Sequence, residues 1–176
     1  MNTGHIKNYA PKARNDFIAA MSKQAAKYGI TENTIETGEV KGDLLIIGGK
    51  PFPLAIAKPR EALIHKIQLL GFGQVMEQVA YSWFNRLCAI RYMELADYLG
   101  HGRRVLSHPQ QNNQYQILDE CLDIDLPGLN QAKARELKLD GSKDEELYRL
   151  LLLGQCHALH SAMPFLFEPV DDESEL

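Results

Sequence analysis

The run of residues 81–95 constrains the fold of this chain more than any other part of it. It is apolar around almost the whole circumference of a helix, yet it carries Asn85, Arg86, Arg91 and Glu94. A helix that is apolar on every side belongs in an interior. Its polar side chains must then reach the surface or find partners, because an isolated buried charge is costly. Arg91 and Glu94 are three residues apart and can meet on one helix face. We therefore predict a central core helix with paired charges.

Length and composition predict one helical domain. The chain has 176 residues, 45% of them hydrophobic, which is enough for one core over residues 1–168. Residues 169–176 include four carboxylates among eight residues and are expected to be an acidic linker towards a further, missing domain. Three cysteines without a CxxC pair suit reduced thiols, and the sequence lacks a signal peptide or a membrane-length apolar run. We expect a soluble, cytoplasmic protein that does not contact the membrane.

Helical periodicity dominates the pattern, and the predicted fold class is mainly α with a small β-hairpin. Pro11 suits the first turn of a first helix and Gly29 its end, while Gly48 and Gly49 suit a tight turn between short strands. The hairpin is predicted near residues 35–54. The helices are predicted near residues 12–28, 59–70, 74–98, 129–139 and 143–162.

Charge is unevenly distributed along the chain. Residues 1–104 hold 14 Lys and Arg against 9 Asp and Glu, whereas residues 105–176 hold 5 against 14. Arginine and lysine side chains bind phosphate, so the candidate DNA contacts are the basic residues of the first part. These candidates are Lys7, Lys12, Arg14, Arg103 and Arg104. The alternative is that they are ordinary solvated side chains.

Cys156, His157 and His160 are close enough on a predicted helix to share a metal ion. A structural zinc site needs four ligands, however, and no second pair stands at ligand spacing. We favour a packed thiol with hydrogen-bonded histidines, and we predict no metal site. An independent metal-dependent enzyme built on these three residues is the remaining alternative.

Cys88 with His65 or His101 is a candidate nucleophile and base combination, but no third orienting group supports it. Because Cys88 lies in the most apolar helix, we predict that it packs in the core. The glycine pairs of the chain fit neither a dinucleotide turn nor a phosphate loop. The residues themselves thus predict no catalytic or cofactor-binding site.

Four blocks of the chain resemble the N-terminal region of the PglX family, the adenine-specific DNA methyltransferases of BREX (bacteriophage exclusion) defence systems. The blocks occupy residues 1–17, 81–94, 104–109 and 151–168, in the family's order. Ala96 stands where the family would have a histidine, and residues 31–58 differ in length and content from other members. The resemblance covers essentially the whole chain but only the beginning of a family member.

The resemblance implies a parent enzyme that transfers a methyl group from S-adenosylmethionine to the N6 atom of adenine, marking host DNA against phage DNA. Such an enzyme needs a glycine turn for the cofactor and a [DNS]PP[YFW] motif for the flipped adenine. This sequence contains no Pro-Pro dipeptide. We therefore expect the catalytic and cofactor residues beyond Leu176. The segment itself is expected to be a scaffold that docks on the methyltransferase, on other BREX proteins or on a phage inhibitor. Direct DNA contact is the alternative.

Overall fold

The structure is a computed structural model that describes residues 3–167, with side chains from residue 7 onward. The predicted acidic linker, residues 169–176, lies outside the described residues. The described part forms six α-helices, three β-strands and two 3-10 turns, which confirms the mainly α prediction. The helices are α1 (Thr3–Lys27), α2 (Ala57–Leu70), α3 (Phe72–Leu95), α4 (Gln116–Asp119), α5 (Gln131–Asp140) and α6 (Asp144–His160). The strands are β1 (Gly38–Lys41), β2 (Leu44–Ile47) and β3 (Lys50–Pro53), and the 3-10 turns are Leu54–Ile56 and Cys121–Asp123.

The chain divides between Phe84 and Asn85 into two compact units. Helix α3 spans the division, so its first half belongs to the first unit and its second half to the second. The single domain expected over residues 1–168 stays a prediction. None of the helices in the described part is both long and apolar enough to cross a lipid bilayer.

Helix α1 begins earlier than predicted but ends where predicted. It starts at Thr3 rather than near residue 12, so Pro11 lies inside the helix and not in its first turn. At its end, the N–H of Ile30 donates to the carbonyl of Ala25 at 3.1 Å and Gly29 takes a φ of 69°. This is a Schellman cap, in which a glycine reverses the chain without a Cβ clash.

The first unit has a small core under the end of α1. Ala25, Ile30, Ile67, Val75 and Met76 form a buried cluster contributed by α1, the segment that follows it, α2 and the start of α3. Beside it, the three strands form an antiparallel meander in the order β1-β2-β3.

The β2–β3 turn is the predicted glycine pair. Gly48 and Gly49 have φ values of 54° and 78°, as a type I′ hairpin turn requires. The predicted hairpin gains a third strand because Gly42, also at positive φ, makes a second turn between β1 and β2. Leu45 and Ile47 are buried, as alternation along β2 requires.

A buried arginine fixes the segment between α1 and the sheet. Arg60 of α2 donates its Nε–H to the carbonyl oxygen of Tyr28 at 2.8 Å, and a terminal N–H donates to the carbonyl of Glu36. Burial lowers the pKa of the Arg60 guanidinium, while nearby carboxylates oppose that shift. Backbone carbonyls thus compensate part of the cost of burying this charge.

The second unit is built around α6. Its inner side chains, including Leu147, Leu151 and Cys156, are buried, and α5 contributes Ala134 and Leu137. Three carboxylates in the first turn of α6 interact favourably with the positive end of the helix dipole. The observed bounds of α2, α3, α5 and α6 lie within three residues of the predicted ones.

Candidate functional site

Helix α3 is buried on one side and exposed on the other. In its second half, Ile90 and Glu94 are buried, whereas Cys88, Tyr92 and Leu95 are exposed. The prediction that Cys88 packs in the core is therefore wrong, and the predicted core helix is buried on one side in its second half. The sequence overestimated the burial of α3, because tyrosine carries a polar hydroxyl and single leucines or cysteines tolerate exposure.

The exposed side of α3 continues into the turn after the helix. Asp97 takes a left-handed φ of 57°, and the N–H of Tyr98 donates to the carbonyl of Met93 at 2.9 Å. This cap returns Tyr98 over Tyr92, with their ring centroids 6.1 Å apart in an edge-to-face arrangement. We call Tyr92, Leu95 and Tyr98 the aromatic face. Their exposed fractions are 65%, 57% and 64%, large values for apolar side chains this close together.

The buried carboxylate of Glu94 organises the loop after α3. One oxygen accepts hydrogen bonds from the backbone N–H groups of Val105 and Leu106, at 2.7 and 2.8 Å. The other accepts from the Ser107 hydroxyl at 3.0 Å and from the Arg91 guanidinium. The predicted pairing of Arg91 with Glu94 is thus confirmed. The three loop donors were missed because nothing local in the sequence links positions 94 and 105.

A tyrosine pair lies against the same loop. Tyr115 and Tyr148 are stacked with centroids 4.2 Å apart, and the Tyr148 hydroxyl donates to the carbonyl of Val105 at 3.3 Å. Burial, with a smaller contribution from Tyr115, raises the pKa of Tyr148. The hydroxyl therefore stays protonated at neutral pH and acts as a structural donor.

The predicted DNA-contacting residues of α1 do not behave alike. Lys7 and Lys12 are exposed. Arg14 forms an ion pair with Glu77 of α3, 2.5 Å between the nearest atoms, and its Nε–H also donates to that carboxylate. Both partners are about half exposed. Arg14 thus shares its charge with an acid, whereas the two lysines face solvent.

The two predicted loop arginines are tied into the second unit. Arg103 pairs with Glu120 and donates to the carbonyl of His101. The backbone N–H of Arg104 donates to Gln116 Oε1 at 3.0 Å, and both arginines are half-buried. The pKa of the Glu120 carboxyl is lowered, first by a hydrogen bond from Gln116 and then by Arg103. The five predicted basic residues therefore fall into two groups, one in each compact unit.

A groove of about 210 Å³ lies between α1 and the first half of α3. The Arg14–Glu77 pair crosses its edge. Phe17 and Phe84 meet edge-to-face inside it, with centroids 5.6 Å apart. Its remaining lining side chains are Ala10, Ile18, Ala80 and Tyr81. The volume suits one aromatic or branched side chain rather than a nucleotide cofactor.

The described residues bring together no group of three metal-ligating side chains. Cys156 is buried, while His160 uses its Nδ1 to donate to the carbonyl of Phe167. His101 donates from Nε2 to Gln155 at 2.7 Å and accepts the N–H of Arg103 at Nδ1. Both ring nitrogens of His101 are thus engaged in hydrogen bonds within the protein.

The chain is related over its whole length to adenine-specific methyltransferases. It is 49% identical over 183 residues to the adenine-specific methyltransferase BrxX of Escherichia coli O9:H4 (strain HS), and 29% identical over 197 residues to the adenine-specific methyltransferase PglX of Lacticaseibacillus casei (strain Zhang). No protein-family model matches the chain. The chain spans only 15% and 16% of the lengths of these two relatives. The similarity confirms the predicted resemblance to the PglX family, over a region that makes up a small part of each relative.

Proposed function

We propose that this chain is the N-terminal scaffold and interaction domain of a longer, site-specific adenine-N6 DNA methyltransferase of a BREX phage-defence system. The proposal rests on one observation: the whole chain matches 15% and 16% of the lengths of two adenine-specific methyltransferases. The parent protein would use S-adenosylmethionine and act on DNA. The residues that hold both would lie outside this chain.

The described side chains support a scaffolding role. The polar clusters that look chemical in the sequence are internal ties, such as Glu94 to its loop and His101 to Gln155. The groove in the first unit and the aromatic face in the second are instead surfaces for apolar contact. A scaffold needs rigid internal ties and outward apolar contacts, and both are present.

Methyl transfer by purified proteins tests the proposal. The full-length methyltransferase should transfer the labelled methyl group of S-adenosylmethionine to DNA, and the 176-residue chain should not. The rest of the enzyme, co-expressed with this chain as a separate polypeptide, should co-purify with it and recover activity. Methyl transfer or tight cofactor binding by the chain alone would contradict the scaffolding role.

Direct DNA contact is the second candidate function. It is favoured by exposed lysines along one side of α1, Lys12, Lys23 and Lys27, spaced by eleven and four residues. Lys7 adds a further exposed cation near the start of the helix. These side chains are suited to phosphate contact without base readout.

Salt-dependent DNA binding by the full-length enzyme distinguishes this candidate. Replacing Lys12 and Lys23 by glutamine should remove about two counterions from the salt dependence of binding. Replacing Arg103 and Arg104 tests the loop group in the same way. If both double variants keep the wild-type salt slope, the segment does not contact DNA.

A further inference from the structure

The packing within the second unit leaves the aromatic face of Tyr92, Leu95 and Tyr98 exposed. Its three side chains expose more than half of their surface, although α3 buries other apolar residues efficiently. Tyrosine is enriched at protein interfaces, because its ring gives apolar contact area and its hydroxyl a hydrogen bond.

The face is held in one arrangement before any partner arrives. The left-handed Asp97 and the hydrogen bond from Tyr98 to Met93 fix the turn, and the two rings rest against each other. Ordering flexible side chains is a main cost of association, and this cost is reduced here. The ring contact itself belongs to the helix cap. The cap explains why Tyr98 lies beside Tyr92, but not why Leu95 and the outer surfaces of both rings remain uncovered.

We propose that the aromatic face of α3 is the docking surface for the remainder of the same longer polypeptide. This inference rests on the proposed function and names the surface through which the scaffold would act. The occupant is argued from chain length, since the relatives are more than six times as long as the region that this chain matches. An intramolecular partner is present at high effective concentration, so a patch of this modest size suffices to hold it.

Cys88 provides a built-in reporter of this docking. It lies one helical turn before Tyr92 and two before Leu95 on the same side of α3, and its thiol is exposed. The other two cysteines, Cys121 and Cys156, are buried. A partner seated on the aromatic face would cover Cys88 as well.

The test measures alkylation of Cys88 by N-ethylmaleimide in the full-length enzyme, resolved by peptide mass spectrometry. Desolvation raises the pKa of the Cys88 thiol, so rates are compared as thiolate rate constants from a pH series. Wild-type enzyme should react at least tenfold more slowly than urea-unfolded enzyme. Leu95→Ser, which leaves the two tyrosines in place, and Tyr92→Ser with Leu95→Ser should restore most of the lost rate. Leu139→Ser, a change at a leucine of α5 that is even more exposed than Leu95, should have no effect.

Three outcomes would overturn the proposal. Cys88 reacting in wild-type enzyme as fast as in unfolded enzyme would show an open face. Protection that survives the face variants would place the partner elsewhere. Protection lost on dilution, together with a dimer in analytical ultracentrifugation, would make the partner a second copy. A methyl-transfer assay on the same samples separates this failure from that of the proposed function, because an active enzyme with an open Cys88 refutes only the docking surface.

Discussion

At the scale of single residues, a few buried polar side chains form hydrogen bonds to backbone groups that are distant in the sequence. Glu94 is the clearest case, because its side chain is fully buried and its two oxygens bind four donors. Buried carboxylates are tolerated only with such compensation. Three of its four donors lie in residues 105–107, so the carboxylate connects the second half of α3 to the following loop.

Replacing Glu94 by alanine should lower the free energy of unfolding by about 2 to 5 kcal/mol, because it leaves the backbone N–H groups of Val105, which is buried, and Leu106, which is partly buried, without an acceptor. Glu94→Gln keeps one acceptor oxygen for those groups and should cost less. Urea denaturation of the two variants measures the difference. Equal losses for both would show that the negative charge, and not hydrogen bonding to Val105 and Leu106, stabilises the loop.

The ion pair of Arg103 and Glu120 should make the stability of the fold depend on pH, in a direction set by the lowered pKa of Glu120. The folded-state pKa of Glu120 is lowered, so its contribution to stability is present above the unfolded pKa and disappears as pH falls through the folded pKa. Arg103→Gln should raise the Glu120 pKa only part of the way, because the larger cause, Gln116, remains. Carbon-detected NMR titration of Glu120 checks this. An unchanged pKa would rule out the ion pair in solution.

At the scale of elements, helix ends decide where the chain turns. Gly29 closes α1 and Asp97 closes α3, both with left-handed backbone and the same hydrogen bond back to the last turn. At Gly29, the space that a Cβ would take is also occupied. An added Cβ there would lie 2.6 Å from the Ile47 methyl group and 2.9 Å from Glu36 Cβ.

A pair of alanine substitutions separates backbone strain from crowding. Gly29→Ala and Gly49→Ala impose similar positive φ values of 69° and 78°, but only the first meets neighbouring atoms. We expect Gly49→Ala to cost about 1 kcal/mol and Gly29→Ala about 2 to 4 kcal/mol in unfolding free energy. Thermal and urea unfolding measure both. A Gly29 variant no less stable than the Gly49 variant would mean that the sheet moves away freely.

The elements show what a sequence can and cannot predict. Gly29 and the Gly48-Gly49 pair were predictable because glycine marks left-handed backbone locally. The start of α1 was missed because Pro11 is favoured in a first turn, although the helix continues through it. The aromatic face was missed because hydrophobicity alone predicts burial and cannot show which side of a helix lacks a partner.

At the scale of the whole molecule, the described part of the chain combines internal polar contacts with outward apolar surfaces. Its clusters of ionisable groups serve internal contacts, and its accessible features are apolar surfaces and exposed lysines. The family was recognisable from sequence because long ordered blocks are specific. The roles of the basic residues were not, since the carboxylate partners of Arg14 and Arg103 lie 63 and 17 residues away.

Hydrogen exchange of the full-length enzyme should place the cofactor outside this segment. Adding S-adenosylmethionine at about 100 times its Kd should slow exchange in peptides outside residues 1–176, since ligand binding stabilises the regions that it contacts. Peptides of α1 and α3 around the groove should be unaffected. Selective protection of Phe17 and Phe84 peptides would instead make the groove a part of the cofactor site.

The Glu94 network also bears on how the length of this chain can vary between relatives. The Glu94 carboxylate accepts from the consecutive backbone N–H groups of Val105 and Leu106, so the number of residues between Glu94 and Leu106 is constrained. An inserted or deleted residue there would shift the register of the loop and uncouple it from α3. Gln110 and Gln111 donate their backbone N–H groups to His108, and the exposed residues 112–114 follow outside the stretch that Glu94 holds. Length differences between homologues should therefore accumulate in residues 112–114 and be absent between Glu94 and Leu106.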